Sequence, residues 1–275
     1  MLAGPVPGVL GATARAVSQL PDGLPNAARL DPWTEANHEA WMFTVPGVAR
    51  YLIRGGTMID VVAEPGADPR SVELFLHGSA RGFLIHQRRE LPLEAVTLAA
   101  PQGGAVALAG PSGTGKSTLA AELCRRGWRL IAEDITRVTT TGGRSLAWPS
   151  HTALKLWRDA CETLGISTDQ LVPVRERMEK FHVQMPASSR PEVLRYVIRL
   201  EMRPEGGLIE ISPNRRSALL SECTFRRLQM DALGRQSDLA RIVGQIAAGI
   251  RMMALNGARE ESSAILAEHI VGKIS

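Results

Sequence analysis

The chain has 275 residues, 44% of them hydrophobic and 22% charged, which is enough apolar side chain for one or two packed domains and argues against disorder. The 32 Lys and Arg outnumber the 28 Asp and Glu by only 4, too mild an excess to point to nucleic acid, so no nucleic-acid partner is expected. No run approaches the roughly 18 consecutive apolar residues of a membrane-spanning helix, so no membrane is expected either.

Four of the cations are lysines (Lys116, Lys155, Lys180, Lys273) and the other 28 are arginines. Cys124, Cys161 and Cys223 form no C-x-x-C pair, which excludes a disulfide framework or a cysteine zinc site and fits a reducing compartment. The start lacks the basic residue and unbroken apolar run of a signal peptide. A cytoplasmic location is therefore expected.

Residues 1–36 are rich in Gly, Pro, Ala and Asn with little periodicity, and predict a poorly ordered leader or a surface strap. Residues 37–90 predict a small α+β lobe. Phe43–Val45, Ala49–Ile53 and Met58–Val62 are β-like runs parted by turns at Pro46-Gly47 and Gly55-Gly56. Asp68-Pro69 then opens a helical stretch whose apolar face runs from Val72 to Leu76 and on to Phe83–Ile85. From residue 91 to 275 the pattern is that of one α/β domain. Strands at Ala95–Leu98 and Ala105–Leu108 flank Gly103-Gly104, and a helix runs from Lys116 to Arg126, closed by Gly127. A strand at Arg129–Ala132 ends in Glu133-Asp134. Further strands are expected near 193–200 and 208–211, and helices near 238–248 and 262–274.

Gly110-Pro111-Ser112-Gly113-Thr114-Gly115-Lys116-Ser117 satisfies G-x-x-x-x-G-K-[ST], with Thr118 directly after it. An apolar strand enters the loop and a good helix leaves it, the context in which backbone N–H groups and a helix N-terminus gather phosphate oxygens. Lys116 is placed to reach the β- and γ-phosphates of a nucleotide, and the Ser117 hydroxyl to ligate Mg²⁺. Glu133-Asp134, at a strand end close behind the loop, suggests two duties: one carboxylate holding Mg²⁺ and the other accepting a proton from an attacking hydroxyl.

The loop together with Arg126-Gly127-Trp128-Arg129-Leu130-Ile131-Ala132-Glu133-Asp134 resembles the catalytic core of HPr kinase/phosphorylase and its shorter relatives. The likeness is dense over about residues 91–139 and weaker through Leu154–Trp157, Arg195–Glu201 and Phe225–Asn256. It implies a P-loop kinase domain with a mixed sheet of the HPr kinase and phosphoenolpyruvate carboxykinase type. It also implies ATP and Mg²⁺ as cofactors and transfer of phosphate to a serine of a peptide or small protein. By the same resemblance Glu133 is the base, and Asp134 sits on the metal side with Ser117. Three departures stand out. The pair is Glu-Asp where the family has Asp-Asp. Leu91–Glu94 stands where the family has a histidine, which makes Glu94 a candidate for that place. The E-I-R-G-x-G segment of full-length HPr kinases has no counterpart. The shorter relatives, found in lasso-peptide gene clusters where they phosphorylate a precursor serine, are the better match.

Lys180, beside Phe181-His182-Val183, and Arg177 are candidates for a second cation on the transferring phosphate, or are solvated charges. The six histidines show no metal spacing and read as structural, Trp157 as a core or half-buried aromatic, and the cysteines as inert. Two other readings stay open, a kinase of a small metabolite and a non-catalytic nucleotide sensor. So does the oligomeric state, a homo-oligomer included.

Overall fold

Short apolar runs punctuated by glycine turns build the first sheet. A computed structural model describes residues 4–201, 207–257 and 262–274. Its first seven strands are β1 (Gly4–Pro5), β2 (Thr13–Ala16), β3 (Ala28–Asp31), β4 (Thr34–Ala36), β5 (Ala40–Val45), β6 (Ala49–Arg54) and β7 (Met58–Ala63). They form one sheet in the order β1-β2-β7-β6-β5-β4-β3, antiparallel except where β2 runs parallel to β7. The expected turns at Pro46-Gly47 and Gly55-Gly56 join β5 to β6 and β6 to β7.

Of the two expectations for residues 1–36, a poorly ordered leader or a surface strap, this sheet speaks against the first, apart from residues 1–3, which lie outside the described residues. Val6, Val9, Ala12 and Ala14 are buried in the main core, and β2 adds to the edge of β7. A strand four residues long with one inward side chain carries too little periodicity to stand out among glycines and prolines.

Asp68 caps the next helix, its carboxylate accepting from the Arg70 amide, and Pro69 occupies the first turn. Helix α1 (Pro69–Phe75) passes through a π-helical turn, Leu76–Ala80, into α2 (Arg81–Gln87). The extra residue of a π turn rotates the next helical residues about the axis. Here Arg81 is completely buried, and its guanidinium donates to the carbonyls of His77, Pro7 and Ile135. One arginine thereby ties the N-terminal segment, the helical run and the second sheet together.

The second sheet holds β8 (Leu91–Ala99), β9 (Ala105–Ala109), β10 (Arg129–Ala132), β11 (Ile135–Thr141), β12 (Arg144–Trp148), β16 (Glu192–Leu200), β17 (Gly207–Glu210) and β18 (Arg251–Asn256). It is mixed. β16 runs parallel to both β9 and β18, and the remaining pairs are antiparallel. A small third sheet, ordered β13-β15-β14, comprises β13 (Ala153–Trp157), β14 (Val172–Pro173) and β15 (Lys180–Gln184). Helix α3 (Lys116–Arg125) comes after β9, α4 (Arg158–Thr163) after β13, and α5 (Pro213–Glu222), α6 (Arg227–Ala232), α7 (Gln236–Gly249) and α8 (Ser263–Ile274) come later.

The fold is thus α/β with mixed sheets. One core runs from Val6 and Trp41 of the first sheet through Phe83 to Leu93, Val197 and Met252 of the second, so the expected boundary at 90/91 does not divide it. A separate core packs α3 and α8 against the other face of the second sheet and against β13 and β15.

Candidate nucleotide and acceptor site

The phosphate loop leaves β9, whose five residues are all buried, and enters α3. Gly110, Gly113 and Gly115 take φ of 139°, 84° and 82°, a region that favours glycine. At Gly110 a Cβ would also meet the Leu200 carbonyl oxygen at 2.9 Å. The buried Thr114 braces the loop by donating its hydroxyl to the Pro111 carbonyl at 2.9 Å. The Lys116 ammonium curls over the same loop and donates to the carbonyls of Gly110 (2.6 Å) and Pro111 (2.8 Å). Burial lowers the pKa of Lys116, with Glu94 and Asp134 opposing.

Glu133-Asp134 sits at a break in the sheet. β10 and β11 lie end to end along β8, with a register shift between Leu130 and Ala132. Asp134 adopts φ 61°, its carbonyl accepts from the Ala95 amide at 3.0 Å, and the Ile135 amide turns back to the Glu133 carbonyl at 2.8 Å. Bulges re-aim side chains next to active sites. Here the kink turns two successive carboxylates toward one lysine instead of to opposite faces of the sheet.

That lysine is Lys155, buried in the middle of β13. Its amide donates to Glu133 Oε1 at 2.6 Å, and its ammonium bonds Asp134 and lies 3.5 Å from Glu133 Oε2. The Ser117 hydroxyl donates to Glu133 Oε1 at 3.3 Å, so the loop and the acid pair are in contact. Ser117 contacts Glu133, where the resemblance implied a partnership of Ser117 with Asp134.

The environment drives the two carboxyls apart. Burial pushes Glu133, 1% exposed, up to about 7 despite Lys155, and the neighbouring Asp134 adds to the rise. Asp134, with a side chain 50% exposed, is partly desolvated by its surroundings, but the Lys155 ammonium outweighs that and the net shift is downward. Lys155 is itself raised, because the two carboxylates overcome its desolvation. Carboxyls separated in this way are suited to opposite duties, one exchanging a proton and one staying charged.

The other candidates divide. Glu94 is exposed on β8, opposite Ile135 in the register, and its charge acts on Lys116. Lys180 pairs in register with Trp157, its ammonium 5.5 Å from the indole centre, and its charge acts on both Glu133 and Asp134. Arg177 is not brought in: its side chain is 91% exposed and its ion-pair partner is Glu176. Trp157 is 51% exposed, so it is half-buried and not a core residue. The three thiols are buried, and burial raises Cys124 to about 12 and Cys223 to about 11, as fits inert cysteines.

Two features escaped the sequence. Leu154-Lys155-Leu156 alternates like a half-exposed strand, so nothing marked its lysine as buried. The scattered His77, His151 and His182 come together with Glu133, Asp134 and Lys155 around one cavity. Burial lowers all three imidazoles, which are therefore neutral at pH 7.

No family model matches the chain, and no curated protein matches it. Among solved structures it is similar to the Hpr(Ser) kinase/phosphatase from Coxiella burnetii, at 12% identity over 66% of this chain and 94% of that one, with a TM-score of 0.36. A likeness of that size assigns no role to any residue. No helix among the described residues is long and apolar enough to cross a membrane.

Proposed function

We propose that the protein transfers the γ-phosphoryl group of ATP to an acceptor hydroxyl, the serine of a peptide or small protein. The observation that carries this reading is the contact of the phosphate loop with the acid pair, Ser117 Oγ to the buried Glu133 Oε1 at 3.3 Å. The residues present fit the cofactors. The loop is shaped by three glycines at positive φ, and a serine hydroxyl, two carboxylates and a lysine converge on its open side. The loop amides and Lys116 would hold the phosphates, with Ser117 and Asp134 on the metal side. Bound MgATP supplies the transferable group and neutralises charge on it.

Glu133 accepts the proton of the acceptor hydroxyl as its oxygen forms the new P–O bond and the bond to the ADP oxygen breaks. A carboxyl near 7 is suited to this, since it takes and returns a proton at neutral pH. Lys155 keeps Asp134 charged and anchors Glu133 through its amide. Serine specificity and a ribosomal precursor such as a lasso peptide as substrate are supported by the resemblance in the loop and strand motifs alone. The cavity against Glu133 favours a second reading, a small hydroxyl compound as acceptor.

The test is incubation with MgATP and serine peptides, with products read by mass spectrometry. Lys116→Ala is expected to abolish transfer and weaken nucleotide binding at least tenfold. Glu133→Gln is expected to lower transfer by about 10²–10⁴ with nucleotide binding retained. Wild-type transfer by Glu133→Gln would refute the base assignment. Nucleotide binding with no transfer to any hydroxyl would favour a sensor.

A further inference from the structure

A cavity of about 360 Å³ lies between the α1–π-turn segment and the strands β13, β14 and β15, with the acid pair on its wall. Of the four buried side-chain polar atoms without a hydrogen-bond partner among the described residues, two line this cavity: Glu133 Oε2 and His77 Nδ1. Oε2 has only the Lys155 ammonium, 3.5 Å away, and two under-satisfied buried polar atoms in one cavity point to a ligand that bonds both. The charges on the walls are already engaged. Arg70 bonds Asp68, and Lys155 bonds the acid pair. Glu73 and Asp134 add negative charge, and the three imidazoles are neutral. Leu74 and Val174 supply apolar wall. The two cations on the walls, Arg70 and Lys155, are thus each matched by carboxylates, which disfavours an anionic acceptor.

We infer that this cavity is an acceptor subsite for an uncharged, hydroxyl-bearing unit that donates its hydroxyl to Glu133 Oε2 and makes a second hydrogen bond to His77 Nδ1. The inference rests on the reading of Glu133 as proton acceptor. The volume lies at the low end of ligand pockets, roughly 300–1,000 Å³. It has room for a whole small molecule, or for a serine presented by a peptide together with an adjoining residue.

The experiment is a titration of the full chain, ¹⁵N-labelled at histidine, monitored by ring-nitrogen NMR, with His77→Gln identifying the His77 signal. The probes are N-acetylserinamide, a serine-containing peptide with blocked termini and no charged side chain, and the O-phosphorylated form of N-acetylserinamide. The expected result is a saturable His77 shift with an uncharged probe and at least tenfold weaker saturation with the phosphorylated one. Leu74→Trp, which fills the cavity, should abolish the shift, while its nucleotide affinity stays within twofold as a check on folding. Saturation by the free unit at the lower concentration identifies a small-molecule source; saturation by the peptide alone identifies a presented serine. No shift with either uncharged probe, an equal shift with the phosphorylated one, or a shift that survives in Leu74→Trp overturns the inference. A shift without phosphoryl transfer keeps the subsite and refutes the transfer reaction.

Discussion

Replacing Lys155 by Met tests the arrangement at its centre. The substitution keeps the length of the aliphatic stem and removes the ammonium that bonds Asp134 and faces Glu133. Taking one partner from a buried ion pair costs about 3–5 kcal/mol when the remaining charge stays buried. The Asp134 side chain is 50% exposed, so solvent screens much of its share. The larger effect falls on Glu133. Its rise from 4.5 to about 7 corresponds to a folded-state penalty on the order of 3 kcal/mol once it is ionised. The folded chain holds a proton here that the unfolded chain releases, so this group lowers stability as pH rises from about 4.5 through about 7, and the penalty is fully developed above that. Without Lys155 the carboxyl rises further and the decline continues above pH 7. Urea unfolding at pH 5 and pH 8 measures it. Lys155→Met is expected to lose about 1 kcal/mol at pH 5, where Glu133 is protonated, and about 2–4 kcal/mol at pH 8. An equal loss at both values, or a larger one at pH 5, would refute the coupling of Lys155 to Glu133.

The packing sets three more expectations. Deleting residues 1–16 removes β1 and β2 and takes the buried Val6 and Val9 out of the core. Each buried valine is worth about 1.5–3 kcal/mol, so thermal unfolding should show a clear loss of stability, and an unchanged melting temperature would restore the view of a dispensable leader. A Cβ on Gly82 would sit 2.5 Å from the Phe225 ring, so Gly82→Ala is expected to cost about 1–3 kcal/mol. Adding Phe225→Leu should recover part of that loss in chemical denaturation, and no recovery would mean the strain lies elsewhere. Asp60 is buried between Arg15 of β2 and Arg54 of β6. Burial alone would raise its carboxyl, but the two arginines outweigh it and hold it below the ordinary 3.8, so its share of stability is present above that value and is lost as pH falls through the lowered one. Asp60→Asn should flatten the acid limb of the stability profile, and an unchanged limb would mean the arginines do not stabilise its charge.

The local elements were readable because their signals are local. Asp68-Pro69 marked a helix start and Gly127 a helix end, and the pairs Pro46-Gly47 and Gly55-Gly56 parted strands that the structure places at β5, β6 and β7. The glycine-rich loop was legible from residue type and spacing, since the backbone shape it adopts is available mainly to glycine. The acid pair stood out beside it as two carboxylates behind a short apolar strand.

Long-range contacts decided the rest. Parallel pairing of β2 with β7, across more than forty residues, made a core element of a segment with no periodicity. The bulge at Ile131 and the left-handed Asp134 turned neighbouring carboxylates toward the same place, which an alternating strand would not do. Lys155 became the hub of the site because β13 packs against that bulge, though in sequence it is one polar residue between two leucines. His77, His151 and His182 are separated by dozens of positions and meet only where the π turn, the strand β15 and the segment before β13 close around one cavity. Residue type specified the chemistry available; burial and convergence, which depend on distant segments packing together, set which groups share a charge and which proton can move.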